Sequence, residues 1–143
     1  MLSSLLYVSR SLVGHADEGD QLLAIQALSH LRNVALDVTG FLVSTQNHFA
    51  QFLEGDADAV STLMQSIMMD KRHTDIRLSP WLEFDDRLFP HWRMTCFPTG
   101  CFVSRHVEPI IAGCHERMNT NSVIRLIKFV RDTAPDLGRM PTR

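Results

Sequence analysis

Several polar residues in this sequence sit where an apolar core would be simpler, and each set has a chemistry it could perform. Ile25, Ser29, Arg32 and Asn33 stand at i, i+4, i+7 and i+8, so they share one face of a helix. Polar groups beside an apolar stripe are, taken alone, most simply a solvated edge. In the run FAQFLEG, Gln51 lies among Phe49, Phe52 and Leu53. Its amide therefore enters a semi-apolar setting in which the oxygen and the NH2 must both find partners, and backbone groups could supply them. Tyr7, the only tyrosine, shares a strand face with Leu5 and Ser9 and suits a core aromatic whose hydroxyl is satisfied. Lys71, Arg72 and His73 offer cations to a phosphate, or complement the dipole at the end of a helix. Arg87, Phe89, Trp92 and Met94 read as an edge strand with its lead-in loop. Taken singly, none of these sets decides a function.

Catalytic templates are weaker still. His48, Cys96 and Asp37 could be drawn as a nucleophilic triad, but nothing in their spacing enforces it and no GxSxG context is present. Seven histidines occur without HxxxH or HExxH spacing, which leaves no metal site to propose. Neither a Walker loop nor a GxGxxG fingerprint appears.

The elements that must position these residues follow from periodicity. Leu5 to Val8 reads as a strand, and the polar stretch from Gly14 to Asp20 as a loop. Leu22, Leu23, Ile25, Ala27, Leu28 and Leu31 recur at three and four, which predicts a helix with Asp20 as its N-cap. Val38 to Ser44 and His48 to Leu53 read as a hairpin whose turn falls on Gln46 and Asn47, with Asn47 supplying the conformation that glycine more often would. A second helix, capped by Asp56 or Asp58, presents Val60, Leu63, Met64, Ile67 and Met68 and ends in the basic cluster at 71–73. Ile76 to Leu82 and Trp92 to Phe97 read as two more strands around an acidic loop. The predicted fold is α+β and ferredoxin-like (βαββαββ), with both helices on one face of the sheet. Two further amphipathic stripes, Val107, Ile110, Ile111, Cys114, Met118 and then Val123, Ile124, Ile127, Val130, predict two C-terminal helices covering the other face.

Composition sets the outer bounds. A chain of 143 residues with 45% apolar and 21% charged side chains suits one soluble domain and excludes disordered, collagen-like and coiled-coil classes. No apolar run approaches the length of a membrane span, and the N-terminus lacks a basic region and cleavage site, so the expected compartment is the cytoplasm. Three cysteines without a CxxC pair fit reduced thiols. Residues 1–100 carry 12 acids and 7 bases, and residues 101–143 carry 4 acids and 7 bases. That mild basic tail is too sparse to argue for nucleic acid.

In order and at their spacings, the motifs Tyr7-x-Ser9, Arg32-Asn33 before Val38-Thr39-Gly40, Phe49-x-Gln51-x-Leu53-Glu54-Gly55, Asp70-x-Arg72-His73 and Arg87-x-Phe89-x-x-Trp92-x-Met94 resemble the BLUF family, the sensors of blue light using FAD. The resemblance runs from Tyr7 to Met94, about two thirds of the chain. It departs from the family's usual pattern at Ala50, where a larger apolar residue is common, and at Asn47. The resemblance implies FAD held between the two helices of a ferredoxin-like sheet. It implies that Asn33 bonds the flavin carbonyl and N3 region, that Ser29 and Arg32 line the same wall, and that Ile25 and Ile67 sandwich the ring. Arg72 and His73 would meet the ribityl-phosphate portion. Tyr7 and Gln51 would be the photoactive pair, with Trp92 and Met94 near the glutamine.

By the same resemblance, light would move an electron and a proton from Tyr7, and Gln51 would rotate or tautomerise to give a new or stronger bond to the flavin C4 carbonyl. No enzymatic activity is expected. Residues 1–98 would form the photosensory domain and 99–143 a helical extension that is not an independent domain. With no effector domain expected, output would pass through the last strand and the C-terminal helices to a separate signalling protein, and the chain would self-associate. Two other readings are a small ferredoxin-like hydrolase of acylphosphatase type and a nonphotoactive interaction module.

Overall fold

A computed structural model describes residues 2–133. In chain order the elements are β1 (Leu2–Ser11), a single 3-10 turn (His15–Asp17), α1 (Glu18–Leu36), β2 (Thr39–Ser44), β3 (His48–Asp56), α2 (Ala57–Met68), β4 (His73–Leu78), β5 (Thr95–Phe97), α3 (Phe102–Glu116) and α4 (Thr120–Thr133). The strands form one sheet in the order β4-β1-β3-β2-β5, antiparallel except where β5 runs parallel to β2. This is the predicted ferredoxin-like α+β arrangement with one strand added at the β2 edge. The last ten residues of the expected extension, 134–143, lie outside the described residues.

Strand alternation divides the sheet between two cores. Leu5, Tyr7, Leu42, Phe49 and Leu53 face α1 and α2, packing with Leu22, Val60, Leu63 and Met64. Leu6, Val8, Phe41, Val43, Ala50 and Phe52 face the other way and pack with Val103, Val107, Ile111, Cys114, Val123, Leu126, Ile127 and Val130 of the C-terminal helices. Those helices therefore cover the second face, as their stripes require. Ala50 belongs to this second core, so its small size bears on the packing of the C-terminal helices and not on the face that carries Gln51.

Four local expectations need correction. Helix α1 begins at Glu18 rather than at an Asp20 cap; Asp17 precedes it without a side-chain cap bond, and Asp20 lies in the first turn. The hairpin turn does not place Asn47 in a left-handed conformation: among the described residues the non-glycines at positive φ are Asp37 and Asp75. Thr45 closes that turn instead, its amide donating to the His48 carbonyl at 2.9 Å and its hydroxyl accepting the His48 amide at 3.1 Å. Helix α2 stops at Met68 with no basic residue in its last turn. The Asp70 carboxylate accepts the Arg72 backbone N–H at 2.9 Å, a local turn that competes with the helix and folds 70–72 away from it. The two last strands are shorter than their apolar runs. β4 ends at Leu78, before Pro80, with Leu82 returning in a single bridge to Ser4, and β5 is only Thr95–Phe97.

The Val38-Thr39-Gly40 motif has a steric cause. A Cβ on Gly40 would lie 1.8 Å from the Phe52 carbonyl oxygen, so only glycine lets β2 close on β3 there.

Candidate functional site

Register alone assembles the centre of the site. Tyr7 pairs with Gln51, Gln51 with Leu42 and Leu42 with Cys96, which makes one row across four strands. Above this row, between α1 and α2, lies a cleft that is lined from both helices and partly open to solvent.

Tyr7 and Gln51 are each 4% exposed. Tyr7 Oη donates to Gln51 Oε1 at 2.6 Å, and Gln51 Nε2 donates to Met94 Sδ at 3.5 Å. The phenol takes the amide oxygen, which leaves the NH2 with a thioether, a weak acceptor that a better one would displace. Burial, reinforced by the Asp70 charge, drives the Tyr7 pKa far above the ordinary phenol value, so Tyr7 is a protonated donor.

Ile25, Ser29, Arg32 and Asn33 of α1 all line the cleft, as do Ile67, Arg72 and His73 from the far side. Asn33 is fully buried; its Nδ2 donates to the Arg93 carbonyl, and its Oδ1 is buried with no partner. An acceptor sealed away without a donor costs about 1–3 kcal/mol. The wall of the cleft thus presents an acceptor suited to a ligand N–H.

Arg72 is engaged twice by Asp70, Nε to Oδ1 at 2.9 Å and Nη2 to Oδ2 at 2.6 Å, and this pairing holds the Asp70 carboxyl below its usual range. The guanidinium is half-buried at the cleft, not a solvated helix end. His73 is occupied on both nitrogens: Nε2 meets the Ile67 carbonyl at 2.7 Å and Nδ1 meets Ser9 Oγ at 2.7 Å. A carbonyl only accepts, so Nε2 carries a proton. Through these two contacts His73, which also lines the cleft, ties the start of β4 to β1 and the end of α2.

The expected grouping of Trp92 with Met94 beside the glutamine does not hold. Met94 belongs to the core under the cleft, whereas Trp92 packs in the opposite core, 4.9 Å from Phe89 and 5.9 Å from Phe97 between ring centroids. Strand alternation would have kept residues two apart on one side, but 92–94 are not in β5. His48, Cys96 and Asp37 form no triad: Asp37 pairs with Arg87 at 3.2 Å and Arg93 at 3.0 Å, and burial pushes the Cys96 thiol up to about 12.

Some contributors were missed. Asp70 stood in a quoted motif without a role, and the Asp-x-Arg spacing is the turn signal that could have revealed it. Leu28, Leu42, Phe49, Leu63 and Ser66 also line the cleft. Glu54, 1% exposed, accepts the amides of Leu88 at 2.8 Å and Phe89 at 2.7 Å and the Thr39 hydroxyl at 2.9 Å. It pins the loop that carries Trp92, and burial raises its pKa despite these donors.

The family model described as sensors of blue-light using FAD, BLUF, matches residues 2–95. The chain belongs to the BLUF family. Its cofactor class is therefore FAD. Photoactivated adenylate cyclase subunit beta of Euglena gracilis is 36% identical over 75 residues, which is 52% of this chain and 9% of the relative. The blue light- and temperature-regulated antirepressor BluF of Escherichia coli is 33% identical over 76 residues, 53% of this chain and 18% of that protein. The chain thus spans less than a fifth of these longer proteins. Among solved structures, the dark state of the BLUF protein BlrB has a TM-score of 0.75 at 26% identity, covering 92% of this chain and 96% of that one. The photo-activated state of BlsA shares the fold at a TM-score of 0.77 and 21% identity, covering 92% of this chain and 95% of that one. No helix among the described residues is long and apolar enough to cross a membrane.

Proposed function

We propose that this BLUF chain is a blue-light photoreceptor in which Tyr7 and Gln51 form the photoactive pair, and that it signals to a separate protein rather than catalysing a reaction. The observation that carries the reading is the buried bond from Tyr7 Oη to Gln51 Oε1 at 2.6 Å, made in a cleft that opposes an unpartnered Asn33 Oδ1. The residues fit FAD: Asn33 Oδ1 would take the ring N–H, Ile25 and Ile67 would bracket the ring from the two helices, Ser29 and Arg32 would line the wall, and Arg72 would meet the phosphate-bearing portion. When bound, FAD supplies blue-light absorption and an excited-state electron acceptor.

The chain's own residues do the rest. Tyr7 gives up an electron, and its hydroxyl proton moves along the bond to Gln51 Oε1. Gln51, weakly held at Met94 Sδ, exchanges the roles of its two ends and offers an N–H donor into the cleft. After the electron and the proton return to Tyr7, the altered hydrogen-bond pattern persists. A difference of about 1–3 kcal/mol between the two patterns is enough to bias the segment beyond Met94.

In this reading residues 1–98 are the photosensory unit, and 99–143 an extension whose two helices close the second core. Output passes along β5 to those helices, where the exposed Arg125 and Lys128 and the half-buried Arg131 suit self-association or an acidic partner in the cytoplasm. Absorption spectra of the purified protein in the dark and under blue light test the reading. A reversible red shift is expected in the wild type and none in Tyr7→Phe or Gln51→Leu, each with flavin still bound. A normal photocycle in either variant sinks the assignment.

A further inference from the structure

The chain leaving the cleft, residues 92–99, is gripped by α1 in reverse order along the helix. Asn33 Nδ2 donates to the Arg93 carbonyl, and Gln26 Nε2 donates to the Met94 carbonyl at 3.3 Å. At the first residue of the helix, Glu18 accepts from Thr99. Its Oε1 takes the Thr99 backbone N–H at 3.1 Å, and its Oε2 takes both the Thr99 hydroxyl and the Ser44 hydroxyl, the latter at 2.9 Å. A half-buried carboxylate therefore gathers the end of β2, the end of β5 and the start of α1 at one point.

That point is where the backbone leaves the sheet for its other face. Two residues beyond Thr99, Cys101 caps α3, and Ser104 Oγ donates back to the Phe97 carbonyl at 3.0 Å. Glu18 and Asn33 stand at opposite ends of one helix, about 22 Å apart at 1.5 Å per residue. A helix of this kind moves as a rigid body, so a shift of segment 93–94 against its Asn33 end must be taken up at its Glu18 end. Two hydroxyls and a backbone amide converge on Glu18, whose carboxyl offers them two acceptor oxygens where an amide offers one.

We propose that Glu18 is a positioning residue for signal output: its clasp on Thr99 and Ser44 holds the β5–α3 junction in the dark arrangement, and movement of Met94 and Arg93 against α1 loosens it and frees the first turns of α3. The inference rests on the light-switched reading above. The role is distinct from stabilising the fold, because the clasp holds a junction between elements whose cores are already complete on both faces of the sheet.

Hydrogen exchange of residues 102–116, measured in the dark and under illumination on the flavin-loaded full chain, tests it beside the absorption spectrum. In the wild type, light should speed exchange of these amides. Thr99→Val, which keeps shape and backbone N–H but removes the hydroxyl, and Glu18→Gln should exchange fast already in the dark and lose the light–dark difference, with the red shift unchanged. Thr99→Ser restores the hydroxyl and should restore the difference. A wild-type light–dark difference retained in both Thr99→Val and Glu18→Gln would falsify the clasp. So would a wild type with a normal red shift and no change in α3. Absence of the red shift from the wild type instead overturns the photoreceptor reading, and the clasp's role with it.

Discussion

Met94 and Trp92 are two residues apart, yet their side chains lie in different cores on opposite faces of the sheet. Met94 Sδ meets the Gln51 amide, while Trp92 packs against Phe89 and Phe97 beside the C-terminal helices. Their shared backbone is fastened between, with the Gly40 amide donating to the Trp92 carbonyl at 2.9 Å. A short stretch of chain thus touches the Gln51 amide on one side and packs beside the C-terminal helices on the other.

From this split, Met94→Leu and Trp92→Phe should separate photochemistry from output. Met94→Leu removes the thioether that accepts from Gln51 Nε2, so it should change the yield or the dark-recovery rate of the red shift. Trp92→Phe should leave the red shift near wild type and lower unfolding stability by about 1–3 kcal/mol, the cost of an imperfectly filled core site. Flash spectroscopy and denaturant unfolding distinguish the two. Equal effects of both variants on recovery would contradict the division of faces.

Tyr7 should remain a phenol well into the alkaline range. Burial raises its folded-state pKa above the ordinary value of 10.0. Between those two values the unfolded chain has lost a proton that the native chain keeps, so stability is intact below pH 10 and falls above it by up to about 1.4 kcal/mol per pH unit. Because Tyr7 is the sole tyrosine, tyrosinate absorbance reports on it alone. Its appearance should coincide with unfolding, and Tyr7→Phe should remove that component of the alkaline loss. Tyrosinate formed with the fold intact near pH 10 would show the site to be wetter than the structure has it.

Cofactor retention should depend on two distant contacts. Asn33→Ala removes the buried unpartnered acceptor and also the donor to the Arg93 carbonyl, while Arg72→Ala removes the half-buried cation held by Asp70. Each should weaken flavin binding by about 1–3 kcal/mol, and the double variant should emerge from purification largely without flavin. Full flavin occupancy in the double variant would place the cofactor elsewhere.

Glu54 is the strongest structural test outside the cleft. Glu54→Leu would strand the part-buried amide of Leu88 and the buried amide of Phe89 and should cost about 2–6 kcal/mol in denaturant unfolding, at about 1–3 kcal/mol for each. Glu54→Gln keeps one acceptor oxygen and should cost less. If the leucine variant were as stable as the glutamine variant, the loop carrying Trp92 would be held by its aromatic packing alone.

Much of this protein was legible before any coordinates. The alternation of β1 and β3 put Tyr7 and Gln51 on the inner face, because a strand's period of two admits no other outcome once Leu5 and Leu53 are buried. The spacing of Ile25, Ser29, Arg32 and Asn33 put one wall on one helix face, since 3.6 residues per turn fixes that as well. The stripes of α3 and α4 required a second buried face. Tertiary structure decided what no local period encodes. The turn Asp70 makes with Arg72 overrode the apparent continuation of α2 and took His73 into a strand. The irregular backbone of 92–94, fastened by Gly40, Asn33 and Gln26, sent Trp92 and Met94 to opposite cores where a strand would have kept them together. And Glu18 met Thr99 only because the sheet brought the start of one helix to the end of a strand 81 positions away, a contact set by chain closure rather than by any neighbouring residue.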